Sequence, residues 1–312
     1  MKEKKLRKRT PYKVQFADYL RAANIRNDKE YDYIVGIDEQ LQFLEVAVGT
    51  HANDIKKKLF NQNIQHNVFR GWVDRAKDII DERDRETVFY KATKKALFKW
   101  LDVIAYENGY VNRDKLVYDI ISTINLDDKK VSTLVLIGGS NCGKSFFNER
   151  LQGVYADHEV GVLKSVEGQN VSNFWMQDLV GKDAYCSEEL MINSVQILQR
   201  FKGLMEGNRT LDTEIKHGGN KKIFRRPYFV SMNGASKSDI VGAFSCELEA
   251  VENRCLILLM TRRLVDILSR PLIGLLEDHS KFICDIMCRI YLNYNKTIDT
   301  YDVEYLEKYI QE

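Results

Sequence analysis

The sequence predicts an α/β protein: a three-layer α/β/α domain with a mainly parallel sheet, preceded by a helical N-terminal region. Three observations predict it. An apolar run at 131–137 leads directly into a glycine-rich loop and then a helix-forming segment at 144–155. After that loop, short apolar runs alternate with helical stretches, the pattern of a parallel sheet covered by helices. Before it, residues 67–124 carry apolar residues at helical spacing.

Residues 1–13 open the chain with Lys2, Lys4, Lys5, Arg7, Lys8, Arg9 and Lys13 against Glu3 alone. Such an arm is either a solvated tail or a basic signal for nuclear import or nucleic-acid contact. Residues 14–60 are mixed, with a short helix expected over 38–48. In the next region Phe89, Ala92, Ala96, Leu97, Trp100, Leu101 and Ile104 recur at three- and four-residue spacing, and Gly109 is the expected C-terminal stop. That stripe reads as packing surface, within or between subunits. Past the loop, strands are expected over 160–166 and 182–187, with a helix over 194–205. Residues 209–215 and 221–224 flank Lys216-His217-Gly218-Gly219-Asn220, a hairpin signal because glycine and asparagine tolerate positive φ. Further buried strands are expected over 228–232 and 255–260. From Arg262 onward the chain is helical with a tyrosine-rich tail. The expected organisation is a basic arm and N-terminal region (1–66), a helical, oligomerisation-related region (67–125), the sheet domain (126–268) and a C-terminal helical segment (269–312).

Gly138-Gly139-Ser140-Asn141-Cys142-Gly143-Lys144-Ser145 fits G-x-x-x-x-G-K-[ST] at each fixed position. Glycines allow a tight winding that turns backbone N–H groups toward a phosphate, and the following helix adds partial positive charge at its N-terminus. Lys144 would reach the β- and γ-phosphates of ATP, and Ser145 would hold Mg²⁺. Glu188-Glu189 follows the third expected strand. Adjacent carboxylates there can divide the work, one orienting the metal and one polarising an attacking water; a solvated acidic helix start is the other reading. Asn233 ends the strand Tyr228-Phe229-Val230-Ser231-Met232, where it can bond the γ-phosphate or the water, or simply form a turn.

This order of motifs resembles the superfamily 3 helicases of small DNA viruses, an AAA+-like group. The parvoviral replication proteins are the nearest resemblance and the papillomavirus replicative helicase the next. The glycine loop, the acidic pair Glu188-Glu189, the segment Phe201-Lys202-Gly203-Leu204-Met205-Glu206-Gly207, the hairpin at Lys216-His217 and Asn233 follow in their order. Glu252-Asn253-Arg254-Cys255 and Thr261-Arg262-Arg263-Leu264 resemble the parvoviral segment in which an arginine opens a strand. The likeness spans roughly 115–265, and five ordered motifs are far more specific than the loop alone. It implies an ATP-driven DNA helicase acting as a homo-oligomeric, hexameric ring on single-stranded DNA. It also implies that Arg254 is an arginine finger, with Ser145 and Glu188 at the metal and Lys202, Lys216 and His217 on nucleic acid. The implied location is the host nucleus if the chain is viral, otherwise the cytoplasm. The parvoviral nuclease signature, His-hydrophobic-His, is missing, so nicking is not carried over; a fragment, a split gene product and a helicase without its nuclease stay open.

Composition sets outer limits. The 312 residues are 44% hydrophobic and 29% charged with net charge +2, an ordinary globular balance that does not by itself mark a nucleic-acid binder. The six cysteines have no metal-ligand spacing, and Cys142 sits inside the loop, so a reducing compartment is expected and secretion is not. No apolar run approaches membrane-spanning length. Three other functions use the same loop: an RNA-directed superfamily 3 ATPase, a P-loop small-molecule kinase and a non-catalytic nucleotide-gated assembly factor.

Overall fold

The computed structural model describes residues 11–22, 31–32, 38–56, 59, 70–77, 79–128, 130–164, 175–189, 202–205, 211–215, 219–239 and 248–311. Residues 1–10 of the basic arm lie outside them. The chain divides into two compact units, Met1–Phe69 and Arg70–Glu312.

The first unit holds helices α1 (Tyr12–Ala22) and α2 (Glu39–Val48). Asp38 caps α2 through its carboxylate, which accepts from the Leu41 N–H at 2.9 Å and from the Tyr19 hydroxyl. Phe16, Leu20, Tyr31, Leu41, Leu44 and Leu59 form a small core of their own.

The second unit begins with α3 (Trp72–Ala76), α4 (Glu82–Arg85), α5 (Val88–Glu107) and α6 (Arg113–Asn125). The stripe read from the sequence is the buried face of α5: Ala96, Leu97, Trp100, Leu101 and Ile104 are all buried, whereas Phe89 is exposed. The helix ends where Asn108 caps it and Gly109 adopts φ +72°.

The sheet strands are β1 (Thr133–Gly138), β2 (Val160–Val162), β3 (Ala184–Glu188), β6 (Tyr228–Asn233) and β7 (Cys255–Met260), all parallel, in the order β2-β3-β6-β1-β7. Between β3 and β6 the chain makes an antiparallel pair, β4 (Leu211–Ile215) and β5 (Gly219–Ile223). Alternate residues of β1 serve opposite faces, as strand geometry requires. Leu134 and Leu136 join Trp100, Phe147 and Ile120 in one core; Val135 and Ile137 join Tyr185, Tyr228, Val230 and Met205 in another. The first face is covered by α5, α6, α7 (Lys144–Leu151) and the later helices α9 (Leu264–Ile267), α10 (Arg270–Asp278) and α11 (Ser280–Gln311). The second is covered by helical residues 202–205 and by α8 (Leu248–Glu252). The α/β/α sandwich with a parallel sheet is therefore the observed fold.

Buried polar contacts lock these layers. Arg75 on α3 donates to Glu159 at 2.9 Å and Asp183 at 2.6 Å, tying the helical segment to the approach to β2 and β3. Asn108 donates to the Leu259 carbonyl and accepts from its N–H, both at 2.8 Å, so a side-chain amide pairs with the edge strand β7. On α11, Asp285 is buried and accepts from Arg85 at 2.8 Å, Tyr90 at 2.7 Å and Arg289 at 3.1 Å. Cys284 and Cys288, four residues apart and so on one face of that helix, are both buried.

Several boundaries differ from the sequence expectation. The strand expected at 160–166 is assigned to Val160–Val162, with 165–166 outside the described residues. The third strand runs from Ala184 to Glu188, so Glu188 is the strand's last residue rather than the one after it, and Asp183 just ahead of it pairs with Arg75 and Arg226. In the hairpin, Gly219 and Asn220 pair with Ile215 and Glu214, so the connection shrinks to 216–218.

Candidate active site

The parallel register gathers the C-terminal strand ends on one edge: Gly138 lies beside both Asn233 and Met260, and Glu188 beside Ser231. Open parallel sheets bind their ligands at this edge. The glycine loop is held there by close packing. A Cβ on Gly138 would sit 2.0 Å from the Met260 carbonyl oxygen, so only glycine lets β7 approach so near. Gly143 adopts φ +88° and would place a Cβ 2.8 Å from the Trp100 ring. Asn141 is also left-handed, at φ +64°, and its carbonyl accepts from the Leu264 N–H at 3.0 Å. Cys142 is buried beside Thr261. The loop is thus moulded against α5, β7 and α9 before α7 starts at Lys144. The first-turn N–H groups of that helix lack intrahelical acceptors and carry its positive dipole end.

Lys144 is buried, and its Nζ donates to the carbonyls of Gly138 at 2.9 Å and Gly139 at 2.6 Å and to Asn233 Oδ1 at 3.2 Å. Burial pulls its pKa below the ordinary lysine range, and the nearby Glu189 carboxylate opposes that pull. The Asn233 amide donates in turn to Glu189 Oε1 at 2.8 Å. Glu189 takes φ +49°, uncommon for a residue with a side chain, and its N–H donates to the Ser231 carbonyl at 2.8 Å. Lysine, asparagine and glutamate therefore form one relay across the ends of β1, β6 and β3.

Beside the relay lies a cavity of about 620 Å³, bordered by Ser145, Glu149, Cys186, Glu188, Glu189 and Ser231. The Ser145 and Ser231 hydroxyls are 3.4 Å apart. Burial pushes the Cys186 thiol up to about 11, so the cavity wall carries a neutral thiol at neutral pH. Both residues of the acidic pair are exposed and border the cavity, and Glu189 also joins the relay through Asn233. The hydroxyl of Ser145 and the carboxylate of Glu188 border the same space, a donor set that suits a hard cation together with phosphate oxygens.

The structure brings Lys144, Ser145, Glu188, Glu189 and Asn233 together. Ser140 and Asn141 are exposed on the loop between Gly139 and Cys142. Arg254 is not in this group. It precedes β7 at the end opposite Met260, about 20 Å of strand away from the loop. Lys202 is also remote: it is half-buried, one turn before Met205, whose carbonyl accepts from Ser132 just ahead of β1. Lys216 and His217 lie outside the described residues, between β4 and β5. Sequence reasoning missed Ser231. Its signal was present: a serine two residues before Asn233 in an otherwise apolar strand faces the same side as Asn233.

Among the described residues no group of three or more His, Cys, Asp or Glu side chains could hold a metal ion, and no helix is long and apolar enough to cross a membrane. No protein-family model and no curated protein matches the chain. Solved structures do. JCV helicase with a bound acetamide compound gives a TM-score of 0.55 at 13% identity, over 92% of this chain and 87% of that one. A second inhibitor-bound JCV helicase gives 0.49 at 12% identity, over 96% and 87%. The C-terminal region of NrS-1 gives 0.44 at 11% identity, over 64% and 45%. The first of these shows a fold shared with a helicase.

Proposed function

We propose that the chain is an ATP-dependent, oligomeric DNA helicase or translocase of viral or virus-derived origin, acting in DNA replication. The observation that carries this reading is the relay from buried Lys144 through Asn233 to Glu189 at the lip of the glycine loop. A relay of this kind can sense the terminal phosphate and orient a water against it. The residues fit ATP and Mg²⁺. Lys144 would exchange its loop carbonyls for the β- and γ-phosphates, and Ser145 and Glu188 would hold the metal, which neutralises phosphate charge when bound. Glu189 would polarise the attacking water while Asn233 positions it.

Arg254 serves a neighbouring subunit in this reading. An arginine at the far end of its own sheet has no route to its own loop, which supports assembly into a ring with active sites between subunits. The shared fold with JCV helicase supports the helicase reading, and the order of motifs supports the parvovirus-like assignment. The basic arm would direct the chain to a nucleus.

The acidic pair offers a prediction within one site. Glu189→Gln is expected to leave ATP binding nearly intact while turnover collapses, because its carboxylate is in the relay. Glu188→Gln is expected to raise the Mg²⁺ concentration needed for half-maximal turnover. Magnesium titrations of both variants, with nucleotide affinity measured alongside, check the split; unchanged turnover in both makes the pair mere surface charge.

The reading as a whole is tested by ATP turnover with and without single-stranded DNA, in wild type and in Lys216→Ala/His217→Ala. DNA is expected to stimulate the wild type. The double variant is expected to keep basal turnover and lose stimulation and strand separation. A preference for RNA points to the RNA-directed ATPase, phosphate transfer to a small acceptor to a kinase, and binding without turnover to an assembly factor.

A further inference from the structure

Helix α5 buries one face and leaves the other strongly basic. Its first fourteen residues, 88–101, contain Lys91, Lys94, Lys95 and Lys99 and no acid. All four lysines are exposed, and with Phe98 and Leu272 of α10 they line a groove of about 760 Å³. None of the four has an ion-pair partner among the described residues. The acid at the end of the groove, Asp102, is already taken, because Arg113 donates to both its oxygens at 2.9 and 2.8 Å. Arg113 and Lys94 both lie over the half-buried Phe98 ring, at 4.0 and 5.4 Å from its centre. Elsewhere in this unit, basic side chains such as Arg75, Arg85 and Lys115 are paired with carboxylates. The groove thus concentrates positive charge without internal compensation.

We propose that this groove is a second nucleic-acid contact, taking the phosphodiester backbone of a strand outside the hairpin site. Charge complementarity selects the partner. Lys91, Lys95 and Lys99 step along the helix by about 6 Å each, presenting a linear row of cations, and a phosphodiester strand is a linear row of anions. Four like charges on two and a half turns repel one another, and a polyanion relieves that repulsion while releasing its own counterions. The inference shares the nucleic-acid part of the proposed function but needs neither the glycine loop nor ring assembly.

The test is fluorescence anisotropy of a labelled oligothymidine without ATP, across a salt series. The proteins compared are the wild-type 312-residue chain and Lys91→Gln/Lys94→Gln/Lys95→Gln/Lys99→Gln. Glutamine is a good helix former, and the sites are exposed, so far-UV circular dichroism and basal ATP turnover should match wild type. The variant is expected to bind more weakly, with its log–log salt slope reduced by roughly 0.7 for each lysine in contact, about 2.8 if all four touch phosphate. Combined with Lys216→Ala/His217→Ala, the losses should add, as for separate sites. Unchanged affinity and slope in the glutamine variant, with a wild type that binds, overturns the groove and leaves the proposed function standing. A wild type that binds no strand overturns both. A glutamine variant that binds the strand normally but changes sedimentation coefficient makes the groove a subunit interface and overturns the proposal.

Discussion

Lys144→Ala is expected to lower ATP turnover by at least ~10²–10³-fold, the scale seen when one preorganised charge-stabilising donor is removed from a reacting centre. Lys144 Nζ already sits between the Gly138 and Gly139 carbonyls and Asn233, so its charge is poised at the loop mouth before any phosphate arrives. Its burial makes the bare ammonium costly, and a polyphosphate is the partner that offsets that cost. Alanine removes the charge and leaves two loop carbonyls and the Asn233 oxygen without this donor. Nucleotide affinity should fall with turnover. Steady-state turnover and calorimetric binding of ATP check this, with a thermal melt to confirm that the fold survives. Turnover at the wild-type rate would falsify the site.

Arg254→Ala should reduce turnover further still, by ~10³–10⁵, the contribution typical of an arginine finger. Arg254 opens β7 at the end of the sheet opposite the loop, so a catalytic role demands a second copy of the chain. Two inactive variants, Arg254→Ala and Lys144→Ala, should therefore restore partial turnover when mixed into one ring. Some interfaces then pair an intact loop with an intact arginine. Turnover as a function of mixing ratio, with mixed rings verified by differently tagged subunits, is the measurement. A complete lack of rescue in verified mixed rings would remove Arg254 from the neighbour's site.

Much of the fold was legible because its signals are local. The apolar run before Gly138, the fixed glycines and the run 255–260 can each be read from a few adjacent residues, and β7 begins and ends as expected. Boundaries set by long-range partners were less legible. Asp183, just ahead of the strand, pairs with Arg75, more than a hundred residues earlier, and no local pattern encodes that pairing. The hairpin pattern showed a turn, but its register depended on Ile215 meeting Gly219.

The same division holds for the site. The sequence alone determined the chemical inventory: a glycine-rich loop, a lysine and serine at its end, two carboxylates and an asparagine at strand ends, and an arginine before the last strand. Fixed spacing within one loop and polar residues closing apolar runs are properties of adjacent residues, so a linear text can carry them. Only the tertiary structure decided which of these meet. Parallel pairing of β1 with β6 sets Gly138 beside Asn233, and pairing of β6 with β3 brings Glu189 within 2.8 Å of the Asn233 amide. Both glutamates border the cavity, but it is Glu189, in its left-handed turn, that meets Asn233, a distinction that two identical adjacent letters could not carry. The strand direction of β7, fixed by its pairing with β1, put Arg254 at the opposite end. Register and strand direction are products of packing between distant segments, and they turned a list of reactive groups into one relay and one outlying arginine.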